Sequence, residues 1–160
     1  MNDAARKNED LIRKFTWEIA TAGVHLERLH DFWAQKLGIT GPQWRILMAL
    51  VDLDRANGVP VNAVATMLHV DSSFVTTQSK RLEKKGFLRR KPSADDARVV
   101  QMSITDKTQK QLAALAEQQD ALNEFVFLEF NDPEFSSFIN KIASINDRLK
   151  KAHGKLALEL

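Results

Sequence analysis

Ile12, Phe15, Ile19, Ala22, Leu26, Leu29 and Trp33 follow one another at alternating intervals of three and four residues. That spacing predicts a helix from about residue 8 to residue 36, with one apolar stripe along its length. The stripe is either core or dimer seam. Thr40 and Gln43 have the spacing of a capping box, and Trp44, Ile46, Leu47, Leu50 and Val51 give a second helix its buried side. Asp54 to Pro60, with Asn57-Gly58, reads as a loop. Val61 to Leu68 is a short helix with Val64, Ala65 and Leu68 inward. Asp71 is a good N-cap and Gly86 a good helix stop, and the span between them holds neither proline nor glycine. The period then changes. Phe87 to Lys91 and Val99 to Ile104 have strand composition, with turn residues from Pro92 to Arg98 between them. Past Thr105, a helix to about Phe130 carries Leu112, Leu115, Leu122, Phe125, Val126 and Leu128. A last helix, with Asp132 as its N-cap, carries Phe135, Phe138, Ile139, Ile142, Ile145 and Leu149.

Two helices joined through His69-Val70 and followed by a hairpin make a winged helix-turn-helix. On the second of them Ser72, Thr76, Lys80 and Lys84 succeed one another at four-residue steps, with Ser73 and Thr77 alongside, while Val75 and Leu82 fall opposite. Small hydroxyls at the N-terminal end and lysines further along suit a helix entering a DNA major groove. The formal net charge is only +2, but it is unevenly spread. Residues 1 to 70 hold 8 Lys/Arg against 8 Asp/Glu, residues 71 to 104 hold 8 against 4, and residues 105 to 160 hold 7 against 9. The positive charge therefore sits on the helix and hairpin, where it attracts phosphates.

At 160 residues with 44% hydrophobic side chains, the chain suits one packed domain. It has no cysteine, which excludes disulfides and thiolate metal sites. No stretch near the N-terminus forms a signal-peptide core or an apolar span of about 20 residues, so no membrane association and a cytoplasmic location are expected. His25, His30, His69 and His153 are scattered, and His25 and His30 do not share a helix face. Glu27, His30 and Asp31 could share one, but a solvated charged cluster accounts for them and no metal or cofactor is expected. Nothing resembles a phosphate loop, a nucleophile elbow or a metal-hydrolase motif, so an enzyme is not expected.

Gln43-Trp44-Arg45-Ile46-Leu47, the run from Arg81 through Gly86 to Arg90, and Asp96-Ala97-Arg98 followed by Ile104-Thr105 stand in the order and spacing of a known family. In these motifs the chain resembles the MarR family of bacterial transcription regulators, over nearly its whole length. The resemblance implies a mainly α fold with a small β-hairpin wing. A winged helix-turn-helix at 40–105 would be flanked by dimerisation helices at 8–36 and 106–153, the whole forming a single MarR-like domain. Carried over by position, it implies that Ser72, Ser73, Thr76, Thr77 and Lys80 face the major groove and that Arg98 reaches a minor groove from the wing. Lys84 extends that helix face, and Arg89, Arg90 and Lys91 supply phosphate contacts beside Arg98. Asp96 would hold the wing and orient nearby arginines, Arg81 being a candidate partner, although as a turn residue it can also satisfy its own backbone. Relatives of this kind bind small, often aromatic or phenolic, anions between the dimer helices and the winged domain. Trp17, His25 and Trp33 are the candidates for lining such a pocket, against ordinary packing for the tryptophans and a surface position for His25.

The chain departs from the family pattern in two places. Ala97 stands where a basic residue is frequent, which removes a charge from the wing tip. Gln78 and Ser79 stand where aliphatics are frequent; either they hydrogen-bond within the domain or the helix seats differently, since an unsatisfied buried amide costs about 1–3 kcal/mol. The expected function is a homodimeric, sequence-specific repressor of a palindromic operator on double-stranded DNA, released by a small effector. The alternative is a winged-helix protein-interaction module without specific DNA binding, against which the basic hairpin and hydroxyl-rich helix stand.

Overall fold

Helix α1, Asp3–Lys36, ends where a glycine can take the left-handed conformation that closes a helix. Gly38 has φ of 67°, its N–H donates to Gln35 O at 3.1 Å, and the Ile39 N–H reaches back to Ala34 O at 3.0 Å. This paired closure satisfies carbonyls that the helix end would otherwise leave open. The structure is a computed structural model and describes residues 3–53 and 57–156. The rest of the loop expected from Asp54 to Pro60 is described only from Asn57 onward.

The remaining elements are α2 (Gly41–Leu53), β1 (Val59–Pro60), α3 (Val61–Leu68), α4 (Ser72–Lys84), β2 (Leu88–Pro92), β3 (Val100–Ile104), α5 (Asp106–Val126) and α6 (Asp132–Leu156). No described helix is long and apolar enough to cross a membrane. Residues 1–114 form one compact unit and 115–160 a second.

In the first unit the core is built around α2. Trp44, Ile46, Leu47 and Leu50 are buried there, together with Val64 and Ala65 of α3, Val75 and Leu82 of α4, Leu88 of β2 and Met102 of β3. Val51, expected on the same side, is 42% exposed. The Thr40–Gln43 capping box forms as expected, with Thr40 N–H donating to Gln43 Oε1 at 3.3 Å and Gln43 N–H to Thr40 Oγ1 at 3.4 Å.

The sheet has the order β1-β3-β2, all antiparallel. Strand β1 was not expected: Val59 pairs with Met102 and Pro60 with Gln101 where a loop was read. The hairpin forms with Leu88 opposite Ile104 and Arg90 opposite Met102. At its foot the Phe87 carbonyl accepts from Thr105 N–H at 3.1 Å and from the Thr108 hydroxyl at 2.6 Å. Thr105 Oγ1 also accepts from Thr108 N–H at 3.3 Å, so it caps α5.

Three helices close in the same way, and one of them does so without glycine. Helix α4 uses Gly86 at φ of 79°, with Gly86 N–H to Glu83 O and Phe87 N–H to Leu82 O. Helix α3 places His69 in the same role at φ of 53°, with Val70 N–H to Ala65 O at 3.0 Å. A side chain with a Cβ is disfavoured in that conformation by about 1–2 kcal/mol. His69→Gly is therefore expected to raise the unfolding free energy by about 0.5–1 kcal/mol, after the extra freedom of glycine in the unfolded chain is set against it. His69→Ile is expected to lower it, and urea unfolding of the two variants checks both.

The long helix α1 buries Trp33 and Ala34 at its end, but Ile12, Phe15, Ile19 and Leu26 of its stripe are exposed in the single chain. In the second unit α6 buries no residue completely. Helix α5 ends at Val126, a turn earlier than read from the sequence. Phe130 stacks with Phe138 at 5.5 Å and meets Phe135 at 5.1 Å, which holds the α5–α6 connection together. The cap of α6 is Asn131 and not Asp132: Glu134 N–H donates to Asn131 Oδ1 at 3.1 Å, and Asn131 N–H reaches Glu134 Oε2 at 3.5 Å. Asn131 has a glutamate three residues on, the partner a capping box needs, whereas Asp132 has Phe135 there.

Candidate nucleic-acid interface

Helix α4 starts at Ser72 because Asp71 is extended, at φ of −69° and ψ of 143°, and its carbonyl accepts from Phe74 and Val75. The Asp71 side chain makes no capping hydrogen bond, so here backbone conformation alone supplies the cap. Val75 and Leu82 seal the inner side of the helix at 0% exposure. On the outer side Ser72, Ser73, Thr77, Lys80 and Lys84 are exposed and Thr76 is half-buried. The sequence-predicted face is thus a single exposed strip of hydroxyls leading to two ammonium groups. Thr77 Oγ1 is already engaged, donating to Ser73 O at 3.0 Å, which leaves its lone pairs outward.

Gln78 and Ser79, the two departures from the expected pattern, are satisfied inside the domain. Ser79 is fully buried and donates to Thr76 O at 3.1 Å. Gln78 Oε1 accepts from Gln43 Nε2 at 3.2 Å. The helix keeps its seat by hydrogen bonds where an aliphatic pair would do so by packing.

The hairpin divides the basic run of β2 between its two faces. Alternation along the strand puts Arg89 and Lys91 on one face, with Ser103 and Gln101 opposite them. Arg90 lies on the other face with Leu88 and Met102, half-buried, and its Nε is buried without a hydrogen-bond partner. Its backbone N–H donates to Glu83 Oε1 at 2.9 Å, tying the end of α4 to the wing. Three consecutive basic residues on a strand cannot all point to one phosphate track. Arg89 and Lys91 are the pair that can.

At the wing tip the arginine that Asp96 orients is Arg98 and not the candidate Arg81. The Asp96 carboxylate accepts from Arg98 Nε at 3.1 Å, from Arg98 Nη2 at 3.2 Å and from the Arg98 backbone N–H at 3.0 Å. Two residues apart in a tight turn, the side chains meet without spanning any distance, whereas Arg81 lies on an exposed part of α4. The side-chain hydrogen bond from Arg98 and then the backbone one hold the Asp96 carboxyl below the ordinary carboxylate value. The Arg98 side chain remains 92% exposed, so the guanidinium is oriented yet open to solvent.

Trp17, His25 and Trp33 are not brought together. They lie eight residues apart along α1, about 12 Å per step. Trp17 is 70% exposed, His25 is exposed and Trp33 is buried with its ring at 5.0 Å from Phe32. The depression where α1 meets α2 is lined instead by Glu27, His30, Asp31, Gly41, Pro42 and Arg45, with a volume of about 170 Å³. Burial and the neighbouring Arg45 lower the His30 pKa against the opposing pull of Glu27 and Asp31, and His30 Nδ1 is buried without a partner. The shared face of Glu27, His30 and Asp31 was legible in the sequence, but the opposite wall of Gly41, Pro42 and Arg45 comes from the next helix and was not. Among the described residues no group of three His, Asp or Glu is placed to hold a metal.

Residues 39–100 match the model of the MarR family. The organic hydroperoxide resistance transcriptional regulator of Bacillus subtilis strain 168 is 35% identical over 71 residues, which cover 44% of this chain and 46% of that protein. The chain spans between about half and two thirds of the length of the curated relatives it matches. Among solved structures it is similar to S. aureus MepR in complex with DNA, at a TM-score of 0.71 and 17% identity, covering 84% of this chain and 96% of that one. CouR from Rhodococcus jostii RHA1 bound to p-coumaroyl-CoA superposes with a TM-score of 0.71 at 18% identity, over 82% of this chain and 90% of that one.

Proposed function

We propose that this chain, whose residues 39–100 match the model of the MarR family, is a sequence-specific DNA-binding transcription regulator, a homodimeric repressor of a palindromic operator that a small effector releases. The observation that carries the reading is the exposed strip of Ser72, Ser73, Thr77, Lys80 and Lys84 on a helix whose inner side is fully packed, beside a wing that holds Arg98 outward. A groove-reading element needs both: short polar groups for base edges and a rigid support behind them. Thr76 completes the strip. Arg89, Lys91, Lys80 and Lys84 contact phosphates, and Arg98 enters the minor groove.

The open stripe of α1 supports the homodimer. Burial of a Leu, Ile or Phe side chain contributes about 1.5–3 kcal/mol, and a second copy offers Ile12, Phe15, Ile19 and Leu26 a partner surface. Residues 8–36 and 106–153 then serve as the dimerisation helices of a single MarR-like domain. The CouR complex supports an effector reading, with the α1–α2 depression a more suitable wall for it than Trp17, His25 or Trp33. A protein of this kind acts in the cytoplasm on chromosomal DNA, without catalysis.

Salt titration tests the docking. Each phosphate contact contributes about 0.9 to the slope of log affinity against log salt. Lys80→Ala with Lys84→Ala is expected to lower that slope by about 2 per helix and to weaken operator binding at low salt. An unchanged slope would remove both lysines from the interface.

A further inference from the structure

Helix α4 is held from behind by the first turn of α2 and the turn that precedes it, at two points on one side. Gln43 Nε2 donates to Gln78 Oε1 at 3.2 Å, and Lys85 Nζ donates to the Gly38 carbonyl at 2.9 Å. Gln78 and Lys85 are seven residues apart, so they lie on the same side, about two turns from each other. The orientation of the Gln43 amide is not free. Its Oε1 accepts from the Thr40 N–H and so must face the start of α2, which turns its NH2 toward α4, where it meets an acceptor. Gln43 is only 3% exposed and therefore cannot swing away to water. The capping box of one helix thus fixes the donor that grips the other.

Resting on the reading of α4 as the groove-reading helix, we propose that Gln43 and Gln78 are positioning residues for operator discrimination, fixing the rotation of α4 about its own axis. Side-chain ends sit about 5–6 Å from a helix axis, so a rotation of 10° displaces them by about 1 Å. Short hydroxyl side chains such as Ser72, Ser73 and Thr76 cannot follow that shift, and base recognition needs placement within about 0.5 Å. Lys80 and Lys84 can follow it, because their long flexible stems still reach a phosphate. Loss of the pin therefore separates two quantities that a general loss of structure would lower together. Preference for the right sequence falls while the salt dependence stays.

The test uses the full chain with Gln78→Ala and Gln78→Glu, titrated against a selected operator and against the same duplex with one base pair changed in each half-site. Alanine removes the acceptor without supplying the bulk that would seat the helix by packing; glutamate keeps an acceptor for Gln43 Nε2, and its added charge acts on both duplexes alike. Gln78→Ala is expected to reduce the ratio of the two affinities by about 3- to 10-fold, the span of a single intramolecular hydrogen bond, with the salt slope unchanged. Gln78→Glu is expected to retain the wild-type ratio. A wild-type ratio in Gln78→Ala, or equal losses in both variants, would overturn the positioning role and leave the regulator reading intact. A wild-type protein that prefers neither duplex would overturn both.

Discussion

Arg98→Ala is expected to weaken operator binding about 5- to 150-fold and to relax sequence preference at the flanks of the site, the range set by 1–3 kcal/mol for a specific arginine contact. On the proposed docking, three features lead to the expectation that this residue is the largest single contributor on the wing. Its side chain is 92% exposed, so nothing must be displaced for it to reach DNA. Its Nε and Nη2 are already fixed by Asp96, which lowers the ordering cost of a long side chain while leaving Nη1 free. Ala97 adds no second charge at the tip that could take its place. Asp96→Ala leaves the guanidinium charged but unheld, and its expected loss is correspondingly smaller. Because the Asp96 carboxyl titrates below the ordinary range, the pair is fully formed at neutral pH and is lost only as acid approaches that lowered value. Titrating the three proteins against one operator at fixed salt checks the order.

The second large effect is on stability. Trp44→Ala is expected to lower the unfolding free energy by about 3–5 kcal/mol, a large part of the 5–15 kcal/mol of a typical domain. Trp44 is 2% exposed on the helix that packs against α1, α3, α4 and β3, beside Ile46 and Leu47 at 0%. Truncating it leaves a cavity that rigid neighbours on all sides cannot fill. Val51→Ala, on the same helix but 42% exposed, is expected to change stability by less than about 0.5 kcal/mol. Urea unfolding of the two variants distinguishes a helix buried on one side from one buried all round.

The features legible in the sequence were those with a local cause. Gly86 stops α4 because no Cβ opposes its left-handed backbone, and Thr40 and Gln43 cap α2 because their spacing alone determines that they meet. The exposed face of α4 followed from a period of 3.6 residues, which needs no knowledge of what lies behind. What was missed depends on partners distant in sequence or on which of two similar groups wins. Strand β1 is two residues long, too short for any pattern, and exists only because β3 lies beside it. The His69 closure resembles the two glycine closures in every hydrogen bond, yet its residue type hides it. Arg81 and Arg98 were both within reach of Asp96 on paper, and the turn decided in favour of the nearer one. Gln78 looked out of place because the donor to its Oε1 is Gln43, 35 residues earlier, while Ser79 is satisfied locally by donating to Thr76 O.

Selection of bound sequences from a random duplex pool, followed by titration of the enriched site over a range of salt, tests the regulator reading most directly. The expected result is a pseudo-palindrome whose half-site centres lie about 34–36 Å apart, one turn of DNA, bound by a dimer with a steep salt dependence. No enriched sequence, with only weak and salt-sensitive binding, would contradict it.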